Sequence, residues 1–261
     1  MSLIPLIPSI YLWSAGAALL AFLGMLIAHR LVKPIDLKEH QPALDATLNI
    51  VGTLVSILLG LLVAASLNNY QILEAAVDSE ATSVAEVCRL SFGLPVAERK
   101  EILSTCLNYC DQVVNEDWPQ MMRGQLSDNV YACYGKLLKT IVTLNPTSNR
   151  ETNIQNALIT AMQNLGDYRR QRVLWLNKGW DRNLMPVLVM CSMIVLIFTY
   201  LYVKRGSMFL HAFLICFVAT ALGANLGLIY MLSHPFSGDW QIQPKGFELN
   251  SQLIRKYADV H

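Results

Sequence analysis

Four mostly apolar stretches of about twenty residues each constrain this chain more than any other feature of its sequence. They cover residues 10–28, 48–67, 185–203 and 210–232. A helix needs about 20 apolar residues to cross the hydrocarbon core of a bilayer. Because hydrocarbon offers backbone amides no partner outside their own helix, each stretch predicts a membrane-spanning helix. The sequence therefore predicts an all-α integral membrane protein.

The predicted spans form two pairs on either side of a long polar segment. We expect the first pair within residues 1–67, a helical domain outside the membrane at 68–184, the second pair at 185–232 and a C-terminal tail at 233–261. Charged residues make up 15% of the chain, against about 25% in soluble domains. Composition and layout thus agree on a 2+2 arrangement with an inserted domain.

The sequence does not favour an enzyme or a nucleic-acid-binding protein. Its net charge is +1, and it contains no long basic run of the kind that binds nucleic acid. It also contains no glycine-rich phosphate loop, no Ser-His-Asp pattern and no His/Cys set with metal-ligand spacing. We expect no catalytic residues, no cofactor, no metal and no nucleic-acid partner.

Several reactive residue types allow both a plain and a functional interpretation. The six cysteines are expected to be reduced packing residues, because disulfides would require an extracytoplasmic domain. The five histidines are interfacial polar residues or pH sensors. Two acidic groups are expected on solvated helix faces, with a cation site as the alternative. They are Asp111, Glu116 and Asp117, and Asp78 with Glu80.

The side of the membrane that holds the domain is left open by the charges near the spans. The short loops carry Arg30, Lys33, Lys38, Lys204 and Arg205, which favours loops in the cytoplasm by the positive-inside rule. A basic segment just before the third span, at 169–182, favours the opposite orientation with similar weight.

The polar domain is predicted to be a bundle of four helices continuous with the spans. Its apolar residues repeat at intervals of three and four, as on one face of a helix. The second span is expected to continue to Gly93, and Pro95 to open the next helix. Trp118 and Pro119 are predicted to end that helix, and a long final helix is expected after residues 145–146.

Small side chains repeat every four residues along the second span. The row consists of Gly52, Ser56, Gly60 and Ala64, with Asn49 and Thr53 beside it. Such rows allow helices to approach closely, and polar members of a span also line water-filled paths. Both interpretations stay open. The fourth span carries a similar row with Gly223 and Gly227, which we expect to pack against another helix.

Charged residues are missing from the middle of every predicted span. Proton-coupled pumps and transporters normally need an intramembrane carboxylate. The sequence therefore leaves a passive channel, in which hydroxyls, amides and helix ends coordinate ions, or a structural membrane anchor.

Six local patterns, in order along the chain, resemble the bestrophin-like domain family. They are HRLVKPIDLKEH (29–40), NNYQILEAAVDSEATSVAEVCRLSFGLP (68–95), NEDWPQMMRG (115–124), DYRRQR (167–172), TYLYVKRGSMFLHAF (199–213) and HPFSGDWQIQP (234–244). The motif residues are Trp118, Pro119, Gly124, Asp167, Arg169, Arg170, Arg172, Pro235, Phe236, Ser237 and Gly238. Asp117 and Gln41 stand where the family usually has Glu and Asn, which are close substitutes.

The resemblance implies a fold and a function. Bestrophins are pentameric chloride channels with four spans per subunit, a helical cytosolic domain and a pore lined by the second span. By resemblance, the DYRRQR segment would form a basic vestibule that concentrates anions. The family's acidic calcium-binding run and its aromatic pore neck have no match here, so calcium gating is not implied. The candidate pore residues are Asn49, Thr53, Ser56, Gly60 and Val63.

Two hypotheses follow. The first is a homo-oligomer in the inner membrane, pentameric by resemblance, that conducts small inorganic anions and holds its helical domain in the cytosol. The second is a non-conducting scaffold or sensor whose domain binds a protein through Trp118, Pro119 and the two methionines that follow. An exposed Trp–Met cluster would favour the scaffold, and a buried cluster would be an ordinary corner between helices.

Overall fold

A computed structural model describes residues 9–31, 41–177, 180–201 and 208–259. Within these ranges the chain forms nine α-helices, one π turn and no strand, which confirms the all-α prediction. The helices are α1 Ser9–Leu31, α2 Gln41–Ser91, α3 Val96–Gln112, α4 Trp118–Met121, α5 Asp128–Val142, α6 Asn149–Asn177, α7 Trp180–Leu201, α8 Met208–Ser233 and α9 Lys245–Asp259, with the π turn at Val113–Asp117.

Three of the four predicted spans are supported by length and composition. Among the described residues, α1, α2 and α8 contain stretches long and apolar enough to cross a membrane, and α7 contains the shorter apolar segment Leu184–Tyr200. The predicted third span extends to residues 202–203, which lie outside the described ranges. Its assignment as a span therefore stays a prediction.

The charges on the two short loops fall mostly outside the described structure. Of those five basic residues, only Arg30 lies within the described ranges. His40 and His261 also lie outside them.

The described residues divide into two compact units. The first draws on residues 1–69 and 179–240, and the second on residues 70–178 and 241–261. The predicted C-terminal tail, 233–261, is therefore shared between them.

In the first unit a hydrophobic cluster joins α2, α7 and α8. Its buried members are Val55, Leu59, Leu188, Val195, Leu226 and Ile229. A second cluster joins α1 to α8 through Ala21, Met25, Ile215 and Ala219. Apolar residues thus hold the four long apolar helices together on their inner sides.

Two glycines of α8 allow close contact with α1. A Cβ on Gly223 would lie 2.6 Å from the Cβ of Ala17 and 2.9 Å from the carbonyl oxygen of Trp13. A Cβ on Gly227 would lie 2.9 Å from the Cβ of Trp13. Because neither residue has a side chain, the two helices approach more closely than larger residues would permit.

In the second unit the apolar stripe of each helix forms the core. The stripe of α2 is buried along its length, at Leu73, Val77, Val84, Val87 and Cys88. The stripe predicted for α6 is buried at Leu158, Ala161, Met162 and Leu165, whereas its first member, Ile154, is partly exposed. The helical period in the sequence therefore identified these core faces correctly.

The predicted helix end at Trp118 and Pro119 is wrong. The chain stays helical to Met121, because the π turn at Val113–Asp117 precedes the proline. The N–H of Trp118 donates to the carbonyl oxygen of Val113, five residues back. The wider turn ends just before Pro119, which has no N–H to donate, so the proline follows without breaking the helix.

The C-terminal tail contains a helix that the sequence analysis did not assign. Helix α9 packs on α2, where a Cβ on Gly246 would lie 2.7 Å from the Cβ of Ala81. The side-chain amide of Asn250 donates to the carbonyl oxygen of Ala81 at 2.7 Å. Phe247 and Ile254 are buried, so α9 is part of the core of the second unit.

Replacing Gly223 with valine should destabilise the first unit. The added atoms would meet Ala17 and the backbone of Trp13, and overpacking of this kind costs about 1–3 kcal/mol. We expect the apparent Tm in detergent to fall by several degrees. Gly52→Val is the matched control, because a Cβ at Gly52 meets nothing within 4 Å. Equal Tm values for the two variants would contradict the packing role of Gly223.

Candidate functional site

The apolar part of α2 has two exposed stripes beside its buried side. The polar stripe contains Asn49, Thr53, Ser56 and Gly60. The apolar stripe, one residue further along at each step, contains Ile50, Leu54, Ile57 and Leu61. With 3.6 residues per turn, the two stripes flank the face of α2 that lies opposite the α2–α7–α8 cluster, and Ser56 also borders a cavity with Val195 and Leu222.

The hydroxyls of the polar stripe are bonded within the helix. Thr53 Oγ1 donates to the carbonyl oxygen of Asn49 at 2.7 Å, and Ser56 Oγ donates to that of Gly52 at 2.8 Å. Bonding of this kind lowers the cost of a hydroxyl in an apolar region. Because the hydroxyl hydrogens are used within the helix, the polar stripe presents the lone pairs of the Thr53 and Ser56 oxygens outward.

The other predicted residues of this span occupy different places. Val63 is partly buried and packs against the α2–α7–α8 cluster, so it lies apart from the polar stripe. Ala64 is exposed. A Cβ on either Gly52 or Gly60 would meet nothing within 4 Å. Gly52 and Ser56 line a cavity beside α7 and α8, whereas Gly223 and Gly227 make close contact with α1.

A buried arginine lies at the centre of the second unit. The Nε of Arg172 donates to Oε2 of Glu80 at 2.7 Å, and its Nη1 donates to Oδ2 of Asp117 at 2.8 Å. All three side chains are fully buried. The hydroxyl of Tyr109 donates to the other Glu80 oxygen at 2.6 Å. Two carboxylates therefore share one guanidinium, and the cluster of Arg172, Glu80 and Asp117 carries a net negative formal charge.

The surroundings keep both donors of this cluster protonated. Burial by itself lowers the pKa of Arg172, but the charge of Glu80, the hydrogen bond to it and the charge of Asp117 raise it overall. Burial and the charge of Glu80 raise the pKa of Tyr109 well above its ordinary value. The guanidinium stays charged and the phenol stays a donor at physiological pH.

Four of the six sequence motifs meet around Arg172. Its guanidinium lies 5.2 Å from the ring centroid of Trp118, within the range of a cation–π interaction. The indole N–H of Trp118 donates to the carbonyl oxygen of Ile242 at 3.0 Å. Glu80 belongs to the motif that follows the second span. No spacing in the sequence signals this meeting, because the contacting partners lie 54 to 124 positions apart.

The expected basic vestibule needs correction at Arg172, because that side chain is paired in the core. In the same motif Asp167 and Arg170 are exposed. The guanidinium of Arg169 lies 5.4 Å from the ring centroid of Tyr131. Only part of the DYRRQR segment is therefore available to attract anions.

The expectation of solvated acidic faces is also wrong at Glu80 and Asp117, which are buried and pair with Arg172. Asp111 instead pairs with Arg255 at 2.7 Å. Glu116 accepts a hydrogen bond from Asn129 at 2.7 Å. In the part of the chain that the structure describes, no group of three or more His, Cys, Asp and Glu residues could hold a metal ion.

The Trp–Met cluster is largely internal. Trp118 and Met121 are buried, whereas Met122 and Pro119 are exposed. The interpretation as a corner between helices is confirmed for Trp118 and Met121. Gly124, with a φ of 72°, continues the corner in a conformation that favours glycine.

The motif after α8 forms a turn in the first unit. The N–H of Ser237 donates to the carbonyl oxygen of His234 at 3.1 Å. Phe236 is buried and Pro235 half-buried. Gly238 has a φ of 87°, which larger residues rarely adopt. These motif residues shape the backbone where α8 ends.

All six cysteines are free thiols, as the sequence analysis expected. Cys88, Cys106 and Cys110 are buried, and Cys133 is partly exposed. A hydrogen bond with Cys88 and burial raise the pKa of Cys106. Burial is the main cause that raises the pKa of Cys110. These thiols are packing groups of the core.

The described residues are all-helical, and their long apolar helices are those of a membrane protein. Variants of a bacterial bestrophin homologue from Klebsiella pneumoniae have similar structures. The first has a TM-score of 0.67 at 11% identity over 96% of this chain and 97% of that chain; the second has 0.65 at 11% identity over 94% and 97%. A structure described only as a membrane protein has a TM-score of 0.62 at 14% identity over 96% and 98%.

The family follows from the sequence match. Residues 15–247 match the family described as the Bestrophin-like domain, and the chain belongs to the Bestrophin-like family. This confirms the resemblance that the six motifs indicated. No curated protein matches the chain.

Replacing Arg172 with methionine should strongly destabilise the second unit. The change would leave Glu80 and Asp117 buried without a counter-charge, and breaking a buried pair costs about 3–5 kcal/mol. We expect a lower apparent Tm in thermal unfolding. Arg170→Met removes an exposed arginine two positions away and should change the Tm little. A mild effect of Arg172→Met would show that the carboxylates do not depend on this arginine.

Proposed function

We propose that this protein is a passive ion channel whose pore is lined by the polar stripe of α2. The observation that supports this proposal is the position of Asn49, Thr53, Ser56 and Gly60, which are exposed on an apolar helix long enough to span a membrane. Polar groups in a span are costly unless they face protein or water. A water-filled pore provides that environment.

The pore would form between subunits. A single protomer leaves the polar stripe uncovered, whereas a closed ring of identical subunits brings the same stripe of each α2 to a common axis. Ile50, Leu54, Ile57 and Leu61 would then contact the neighbouring subunit or lipid. The pentameric state is proposed from the resemblance to bestrophins, and α7 is proposed as the fourth span.

Small inorganic anions, chloride above all, are the proposed ions, by the same resemblance, and the exposed Arg170 would attract them. One observation favours small cations as the second candidate. Thr53 and Ser56 donate their hydroxyl hydrogens to backbone carbonyls, so their lone pairs face outward and would accept a cation. Reversal potentials in asymmetric salt separate the two.

Replacing Thr53 and Ser56 with leucine should abolish ion flux without preventing assembly. Leucine makes the stripe apolar, and an apolar constriction stops conduction by losing its water. The measurement is chloride flux from liposomes that contain the purified protein, with the oligomeric state read by light scattering during gel filtration.

The matched control for that variant is Ile50→Leu with Ile57→Leu, which keeps the volume of the apolar stripe and should keep flux. Loss of the oligomer in the Thr53/Ser56 variant would instead support a packing role for the polar stripe. No flux from the parent protein, with insertion verified and both ions tested, would favour the non-conducting scaffold.

We also propose that the second unit lies in the cytosol and the spans in the inner membrane. In intact cells, a membrane-impermeant maleimide at pH 8 should then leave Cys133 unlabelled. Labelling should appear after permeabilisation, because Cys133 is partly exposed. Burial raises the pKa of Cys133, so labelling should accelerate as the pH rises and thiolate forms.

Buried Cys106 provides an internal reference for this experiment, because it should react only after denaturation. Cys133→Ser supplies the blank for labelling at other sites. Strong labelling of Cys133 in intact cells would place the second unit outside the cytosol.

A further inference from the structure

A pocket of about 380 Å³ lies between α2 and α9, within the second unit. Its buried lining includes Cys88 of α2 and Ile254 of α9. Its exposed lining includes Phe92, Leu253 and Tyr257. The pocket therefore has a closed base and an open rim, and the rim contains two aromatic rings.

The rim of this pocket suits a flat aromatic body. The ring centroids of Phe92 and Tyr257 lie 5.4 Å apart, and the two rings meet edge to face at an interplanar angle of 73°. Aromatic rings attract one another in edge-to-face and offset arrangements. A third ring can therefore extend this pair, with Leu253 as an apolar wall.

The charge at this pocket is positive. Arg89 lines the pocket and is exposed, and the ion pairs between described residues do not involve it. The guanidinium of Arg99 lies 5.4 Å from the centroid of the Phe92 ring, which brings a second positive charge near the rim. The described residues of the lining include no acidic side chain. An anionic group on the occupant would be complementary, and a carboxylate can accept two parallel hydrogen bonds from a guanidinium.

We propose that this pocket binds a small aromatic monocarboxylate, a molecule of the benzoate type. Its carboxylate would pair with Arg89, and its ring would contact Leu253 and the rings of Phe92 and Tyr257. The volume falls in the range of about 300–1,000 Å³ that is typical of small-molecule pockets. A neutral apolar molecule would leave Arg89 without a counter-charge, and a phosphate dianion would bring a second charge against apolar walls, where it is costly.

The test uses fluorobenzoate as the probe and fluorine NMR as the readout, with the full-length protein in lipid nanodiscs. Binding to a large particle broadens the signal of a small ligand, so we expect saturable broadening that an excess of benzoate reverses. Empty nanodiscs are the blank for partition into lipid. Fluorobenzamide keeps the ring but has no charge, and it should bind about tenfold more weakly. Arg89→Gln should weaken fluorobenzoate binding by about the same factor and leave fluorobenzamide binding unchanged. This readout does not require ion conduction.

Ala85→Leu adds bulk to the lining and should abolish saturable binding of both probes. Ala75→Leu is its matched control, because Ala75 is exposed on α2 and does not line the pocket. Arg170→Gln is the control for Arg89→Gln, because Arg170 is exposed and also lies outside the lining. Both controls should keep the binding of the parent protein, and gel filtration verifies that each variant is folded.

The proposal is overturned if the parent protein shows no saturable broadening, as it would when a neighbouring subunit fills the pocket. Equal binding of fluorobenzoate and fluorobenzamide overturns it as well, because the positive charge would then not select the ligand. Equal losses from Arg89→Gln and Arg170→Gln would overturn it by showing that the carboxylate responds only to the overall charge of the protein.

Discussion

The second unit depends on the ionic cluster of Arg172, Glu80 and Asp117. Two carboxylates and one guanidinium are removed from water together, which is favourable only when the geometry is good and additional hydrogen bonds satisfy the remaining oxygens. Tyr109 supplies one such bond to Glu80, and the N–H of Ser127 donates to Asp117 at 3.1 Å. The helices of this unit are thus held in register by specific polar contacts in addition to apolar packing, which alone is not directional.

A different constraint governs the first unit. In hydrocarbon there is no aqueous environment to drive apolar helices together, so association depends on close fit. Gly223 and Gly227 provide that fit between α1 and α8, and their replacement by larger residues would push the helices apart. Helix α2 has no such glycine contact within the protomer at Gly52 or Gly60. The exposed polar stripe of α2 distinguishes this helix from the other apolar helices, and it is the proposed lining of the pore.

Much of the fold could be predicted from local patterns, and the rest depends on partners distant in sequence. Apolar periodicity identified the core stripes, because burial repeats with the helical turn. Glu80 and Asp117 were expected on the surface, because acidic residues are ordinarily solvated. Their partner Arg172 is distant in sequence, so no local pattern indicates the pairing. Pro119 was expected to end a helix, because proline normally breaks one. The π turn that accommodates it has no signature in the sequence. Whether the polar stripe of α2 lines a pore depends on an assembly that one chain does not contain.

Because α9 follows α8 in the chain, it is synthesised after all the apolar helices. A ribosome releases Glu80 and Asp117 long before Arg172, so the two acids remain solvated while the chain grows. The acceptor for Trp118, the carbonyl of Ile242, and the core residue Phe247 emerge only after the last apolar helix. The second unit can therefore complete its core only after α8 has been synthesised. A chain truncated before α9 would keep its apolar helices and the ionic cluster of Arg172, Glu80 and Asp117 but would lack the core residue Phe247.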